Sequence, residues 1–173
     1  TLAAQTHGSV TITIVYDNVA SNPALSTDWG FACLVETPGH TVLFDTGGDG
    51  RTLMANLAAL GRDPRTVEAV VLSHEHGDHT GGLAAFLAAA NRPRVVMPDS
   101  FPEQIKDAAR AGGSAIKLSN WAEVAPGIIA TGAVGGPIPE QALIVATSEG
   151  IVVITGCAHP GIVAMVRRGL AVA

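Results

Sequence analysis

The stretch from residue 69 to residue 90 constrains the fold more tightly than any other part of the chain. Residues 69–72 are wholly apolar, which marks a strand buried on both faces and so one flanked by further layers. Residues 83–90 are rich in Ala and Leu and predict a helix, closed by Asn91 and Pro93. Between them runs Ser73-His74-Glu75-His76-Gly77-Asp78-His79-Thr80-Gly81-Gly82, which holds three of the chain's six histidines and an aspartate. A buried strand that hands over to a polar loop and then to a helix belongs to a layered α/β domain. That handover is where such folds place their sites.

The same grammar recurs elsewhere. Residues 10–15 alternate β-branched apolar residues with Thr, the period of a half-buried strand. Residues 31–36 and 41–44 read as strands joined by the turn Thr37-Pro38-Gly39-His40. Leu53, Leu57 and Leu60 recur at helical spacing before a Gly61 stop and form a core stripe. Residues 95–97 predict a strand and residues 103–111 a helix ended by Gly112-Gly113. Residues 128–130, 142–146 and 151–154 are β-like, the last two joined through Ser148-Glu149-Gly150. Residues 161–170 predict a closing helix whose Arg167 and Arg168 suit its C-terminal dipole. No linker or shift in composition divides residues 1–173, which read as a single mixed α/β domain.

Composition excludes several classes. With 47% hydrophobic and only 14% charged residues, the chain can bury a core and is not intrinsically disordered. The longest uncharged stretch, 124–139, is interrupted by four glycines and three prolines, so no membrane partner is expected. Ten Lys+Arg against 15 Asp+Glu give a net charge of -5, and no basic face is visible, so no nucleic-acid partner is expected. Two cysteines are too few for a disulfide scaffold. The chain begins at Thr1, and Thr1-Leu2-Ala3-Ala4-Gln5 suits the tail of a removed export signal as well as a cytoplasmic chain.

Imidazole and carboxylate at this spacing suit Zn²⁺, with Mn or Fe as alternatives, in one or two copies. In an extended loop, His74 and His76 point the same way and share one metal. Asp78 and His79, past the Gly77 turn, face a second. Thr80-Gly81-Gly82 opens a helix whose N-terminal dipole favours an anion. Asp45 ends a strand at a Gly-rich turn, either as an Asx-turn residue or as a carboxylate that orients a ligand histidine through its free N–H. His159 follows an apolar run and the Gly156 turn and precedes a helix, the setting of His74, although a helix-capping or core histidine fits too. Cys157 reads as a small buried filler rather than a ligand. His40, Asp17 and Asn18 read as ordinary turn residues, Trp29 as a pocket wall and Trp121 as packing. His7 carries no signal.

This constellation resembles the metallo-β-lactamase superfamily, whose His-x-His-x-Asp-His signature matches His74 to His79 at every position. Leu43-Phe44-Asp45-Thr46-Gly47 is similar to the family's strand ending beneath the metals. Trp29-Gly30-Phe31 and Thr155-Gly156-Cys157-Ala158-His159-Pro160-Gly161-Ile162-Val163 resemble the subgroup named for dihydropterin ribofuranosylaminobenzene 5′-phosphate synthase. The match covers nearly the whole chain and is loose between Arg92 and Pro139. It implies a four-layer αββα sandwich with two metals at one edge of the sheets. His159 would complete the first metal site with His74 and His76, while Asp78 and His79 serve the second and Asp45 lies beneath. The family usually supplies a bridging carboxylate and another histidine after the third histidine, yet residues 160–173 contain no His, Asp, Glu or Cys. The expectation is a C-terminally incomplete domain lacking its closing strands and helix, or a degenerate member with one full site.

The chemistry this resemblance implies is metal-assisted hydrolysis of an ester, phosphoester, lactone or amide, with Asp78 as the catalytic carboxylate that orients the attacking hydroxide. The subgroup's name implies a small-molecule substrate, phosphorylated or pterin-like. The alternatives are a non-catalytic metal-binding domain and a di-iron redox member. The redox branch typically carries Glu at the second histidine, so His76 argues against it. The acidic balance argues against a nuclease of the same superfamily.

Overall fold

The structure, a computed structural model, describes residues 9–19 and 21–173, so His7 and residues 1–5 lie outside the described residues. Six strands form the first sheet, in sequence order: β1 (Thr11–Tyr16), β2 (Ala32–Thr37), β3 (His40–Phe44), β4 (Ala69–Val71), β5 (Arg94–Pro98) and β6 (Ser114–Leu118). β1 to β3 pair antiparallel and β3 to β6 parallel. Parallel neighbours need crossovers, and helices supply them. α1 (Gly50–Ala59) links β3 to β4, α2 (Gly77–Thr80) and α3 (Leu83–Ala89) link β4 to β5, and α4 (Glu103–Gly112) links β5 to β6. An antiparallel second sheet has the order β10-β9-β8-β7, from β7 (Ala122–Ala125), β8 (Ile128–Ala130), β9 (Leu143–Thr147) and β10 (Gly150–Ile154). α5 (Ile162–Val172) closes the chain.

Three apolar clusters separate the layers, and strand alternation explains how one sheet serves two of them. Leu34 and Leu43 pair across β2 and β3 and join Leu53, Leu57 and Phe86 beneath the helices. Their neighbours Val35, Val42, Cys33 and Phe44 face the second sheet, against Ile128, Leu143 and Val145. The outer faces of β8 and β9 then bury Ile129 and Ile144 against Met165 and Val172 of α5. Each such side chain contributes roughly 1.5–3 kcal/mol by leaving water. The described residues therefore form a helix–sheet–sheet–helix sandwich, with α5 as its outermost layer.

β6 and β7 were not anticipated: Ser114–Leu118 mixes polar and apolar residues without a clean period, and Ala122–Ala125 lacks β-branched residues except Val124. His40 is not a solvated turn residue, because its Nδ1 lies 2.7 Å from Glu68 Oε1 in a half-buried pair. Trp121 is 39% exposed and packs only in part. Both cysteines are free. No helix among the described residues is long and apolar enough to cross a membrane.

Candidate metal centre

The parallel strands β3 and β4 end side by side, in the register Phe44 opposite Val71, and the residues just beyond them begin the site. Asp45 follows β3 with φ of 57°, a left-handed conformation that costs an L-residue roughly 1–2 kcal/mol and that Asp tolerates better than most. Its N–H donates to the Val71 carbonyl at 2.9 Å. Its carboxylate, fully buried, lies beneath the 73–79 loop. There Oδ1 accepts the Ser73 backbone N–H at 2.7 Å, and Oδ2 accepts both the Ser73 hydroxyl and His79 Nδ1 at 2.7 Å. Glycine lets the elements close up here: a β-carbon on Gly82, between α2 and α3, would strike the Thr46 carbonyl.

The tautomer of His74 follows from counting protons. The Ser73 hydroxyl has one hydrogen and gives it to Asp45, so at its 2.9 Å contact with His74 Nδ1 the hydroxyl oxygen must accept. Nδ1 of His74 therefore carries the proton, and Nε2 presents a bare lone pair. That Nε2 is buried and has no hydrogen-bond partner, on a residue with no exposed surface. Burial first, then the neighbouring His79, His76 and His159, push the His74 pKa down to about 3, so its lone pair is free at any ordinary pH. The ligand nitrogens of His74, His76 and His159 all lie within 4.8 Å of one another. A buried, unpaired acceptor facing two more imidazoles fits a divalent cation of the zinc type.

His79 is fixed by the same carboxylate. Its Nδ1 donates to Asp45, and its Nε2 lies 3.3 Å from Cys157 Sγ and 3.5 Å from Asp78 Oδ2. Burial lowers the pKa of His79, but Asp45, Asp78 and Glu140 outweigh it, and the net direction is upward. Cys157 is exposed and stands against His79, so it is not the buried filler expected from its type. The thiol pKa of Cys157 is raised, first by partial burial and then by the charges of Asp78, Glu140 and Asp45.

His159 reaches the cluster from the second sheet, on the loop after β10. Glu140, fully buried ahead of β9, holds that loop by its backbone: Oε1 accepts the Ala158 N–H at 3.0 Å and Oε2 the His159 N–H at 2.9 Å. Ala158 is held at φ of 55°. Gln141, next to Glu140, ties the two sheets together by donating through Nε2 to the Leu72 carbonyl at 2.8 Å, while its N–H donates to Ser73 at 2.9 Å. Glu140 was missed because it follows the glycines and prolines of 132–139 and stands far in sequence from the residues it serves. Ser73 stood inside the recognised run, but only the geometry shows its hydroxyl joining Asp45 to His74.

A cleft of about 300 Å³ opens beside Asp78 and His79, walled by Asp17, Asn18, Trp29, Phe31 and Cys157 among others. Trp29 is 70% exposed at its rim, as a pocket wall would be. Asn18 both turns the chain and lines the cleft, accepting the Gly30 N–H through Oδ1 at 2.7 Å.

The sequence profile of the metallo-beta-lactamase superfamily matches residues 30–171, which span the strands, the histidine loop and His159. The chain belongs to this superfamily. A 7,8-dihydropterin-6-methyl-4-(beta-D-ribofuranosyl)-aminobenzene-5'-phosphate synthase of Methanocaldococcus jannaschii is 23% identical over 207 residues, covering 91% of this chain and 70% of that protein. The exodeoxyribonuclease WalJ of Streptococcus pneumoniae is 33% identical over 54 residues, covering 31% of this chain and 20% of its own length. The metallo-β-lactamase fold is shared with a quorum-quenching N-acyl homoserine lactone lactonase at a TM-score of 0.63 and 17% identity, over 98% of this chain and 87% of the lactonase. A named nuclease among the relatives means that the acidic balance does not by itself exclude a nucleic-acid partner for this metallo-β-lactamase homologue.

Proposed function

We propose that this chain is a metal-dependent hydrolase that acts on a small molecule, with His74, His76 and His159 as ligands of one divalent ion and Asp78 and His79 facing a second. The observation that carries the reading is the unpartnered Nε2 of His74, buried and facing two further imidazoles. Zinc suits an all-nitrogen first site, and Mn or Fe remain alternatives. A divalent cation bound there supplies a nucleophilic hydroxide at neutral pH and stabilises the charge that develops on a carbonyl or phosphoryl oxygen.

The chain's own residues provide the rest. Asp45, directly and through Ser73, holds His79 and His74 in the tautomer that directs Nε2 toward the cluster. Asp78 is partly exposed on the cleft and is placed to accept a proton from an attacking water and orient it. Glu140 fixes the His159 loop without entering the cluster. Trp29 and Phe31 offer an apolar wall to the substrate.

The cleft also bears on the substrate class. Among the described residues that line it are Asp17 and Asp78 but no Lys or Arg. A phosphorylated, pterin-like substrate of the kind the synthase relative's name suggests would find positive charge there only at the metals, with no Lys or Arg to hold a phosphate lying away from the reacting centre. A neutral acyl centre (an ester, lactone or amide) fits that lining better. The test is metal analysis of the chain together with hydrolysis assays on a γ-lactone, an aryl acetate, an aryl phosphodiester and a single-stranded oligonucleotide. Turnover of the acyl substrates, lost on chelation and in His74→Ala together with the metal, is the expected result. Failure to retain any divalent metal, or full activity in His74→Ala, would overturn the proposal, and turnover of the oligonucleotide alone would replace it with a nuclease.

A further inference from the structure

We propose that Cys157 Sγ is a ligand of the second metal, beside Asp78 and His79. This inference rests on the metal-centre reading above.

The geometry around His79 carries it. With Zn–N of 2.0–2.1 Å, Zn–S of 2.3 Å and Zn–O of 2.0–2.2 Å, tetrahedral coordination sets ligand-to-ligand edges of about 3.5 Å for N to S and about 3.4 Å for N to O. The observed edges are 3.3 Å from His79 Nε2 to Cys157 Sγ and 3.5 Å from His79 Nε2 to Asp78 Oδ2. Both edges that meet at His79 thus stand at the spacing one ion requires, and they join donors from two loops on two sheets.

His74 gives an independent sign. Its ligand nitrogen lies within 4.8 Å of those of His79 and Cys157 as well as of His76 and His159, so the two donor groups adjoin. His74 has one free lone pair, already matched to the three-histidine group. The neighbouring group is then left with nitrogen, sulfur and carboxylate oxygen. Asp45 supports this set by keeping the proton of His79 on Nδ1, leaving Nε2 to coordinate.

Two other roles fit less well. A disulfide has no partner, since Cys33 is the other cysteine and lies fully buried between the sheets. A thiolate nucleophile needs a cationic setting that stabilises it, whereas no Lys or Arg is among the described residues lining the cleft where Cys157 stands. On coordination the thiol gives up its proton to solvent and the thiolate sulfur donates to the cation, with no change of oxidation state.

The experiment uses the metal-free chain titrated with Co²⁺, read by absorbance and by stoichiometry, beside its Cys157→Ser and Cys157→Asp variants. Wild type is expected to bind two equivalents, the second bringing the near-ultraviolet thiolate-to-cobalt charge-transfer band. Cys157→Ser should keep the first equivalent, lose the band and bind the second at least about tenfold more weakly. Cys157→Asp should recover the second equivalent without the band, which separates loss of a ligand from misfolding. In parallel, Zn²⁺ should protect the one thiol that Ellman's reagent reaches in the metal-free protein. Two equivalents without the band in wild type, or unchanged binding in Cys157→Ser, would overturn the inference while leaving the three-histidine site standing. Binding of no metal at all would overturn both. Ester turnover by the metal-free chain that alkylation of Cys157 abolishes would replace coordination with thiol chemistry.

Discussion

The two loops that meet at the metal centre are held in place by opposite means. The 73–79 loop is fixed through side chains: Asp45 receives three hydrogen bonds from it, and through them sets the orientation and proton position of His79 and His74. The 155–161 loop is fixed through its backbone: Glu140 takes two N–H groups and leaves the His159 imidazole exposed and without a side-chain hydrogen bond among the contacts described. One half of the centre is a buried, proton-defined scaffold, and the other is a strained arm laid over it. The difference teaches that a ligand can be preorganised by its tautomer or by its loop, and the two should fail differently when broken.

The largest effect belongs to Asp45. Asp45→Ala strands His79 Nδ1–H, Ser73 Oγ–H and the Ser73 N–H in a fully buried place. Removing one partner of a buried charged pair costs about 3–5 kcal/mol. Thermal unfolding should show a loss of that order, and Zn²⁺ affinity should fall by about 10–100-fold or more, because both His74 and His79 lose their orienting bonds. A variant that melts like wild type and binds zinc equally well would erase the contrast between the loops.

Next comes acid lability. The His74 pKa of about 3 in the folded protein lies below its ordinary 6.5. The unfolded chain therefore takes up a proton that the folded chain refuses, and stability is complete above about 6.5 and falls as pH drops toward 3, by at most about 1.4 kcal/mol per pH unit. His79 is displaced upward, so its contribution is present below 6.5 and fades only as pH rises above that value. Denaturant unfolding of the metal-free protein and of His74→Gln, compared from pH 7 to pH 4, isolates the His74 part, since Asp45 is common to both. Parallel pH profiles for the two proteins would refute it.

Glu140→Gln tests the other arm. The amide keeps one acceptor but turns an NH₂ toward a backbone N–H, leaving a buried donor unsatisfied at about 1–3 kcal/mol. Unlike Asp45→Ala, it should spare His74 and His79. The arm carries both His159 and Cys157, so the expected signature is weaker binding at both metal sites with the pH dependence of stability that His74 sets unchanged from wild type. A pH profile altered as in His74→Gln would show the loops to be one unit rather than two.

How much of this was legible in the sequence follows the same division. The 73–79 loop could be read because its strand, its ligands and its helix are consecutive, so pattern and chemistry fall in one stretch of chain. Asp45 could be placed at a strand end by its glycine-rich turn, but an Asx-turn residue has the same local pattern, and only the family resemblance set it beneath the histidines. The support of the second loop could not be read: Glu140 and Ala158 meet only after four strands have closed the second sheet, and nothing local marks either. Cys157 was misread for a related reason. Residue type predicts burial, yet the Gly156 turn, where a β-carbon would meet the Ser73 side chain, swings the following residue to the surface beside His79. β6 and β7 escaped because their partners, not their own periodicity, make them strands.

The smallest effect separates the two loops most cleanly. Ala158 carries a β-carbon at φ of 55°, which costs an L-residue roughly 1–2 kcal/mol relative to right-handed backbone. Ala158→Gly removes that cost but returns roughly 0.5–1 kcal/mol of conformational entropy to the unfolded chain, so the net gain is at most about 1.5 kcal/mol. The melting temperature should rise slightly while the arm, freer to leave its strained turn, holds the first metal a fewfold more weakly. Cys157 precedes Ala158 on the same arm, so the cobalt charge-transfer band should weaken with it, whereas the 73–79 loop shares no hydrogen bond with Ala158 and should keep the pH dependence that His74 gives the wild type. A glycine variant that melts lower would mean that the arm is not under strain, and that the two bonds from Glu140 hold a loop already at rest.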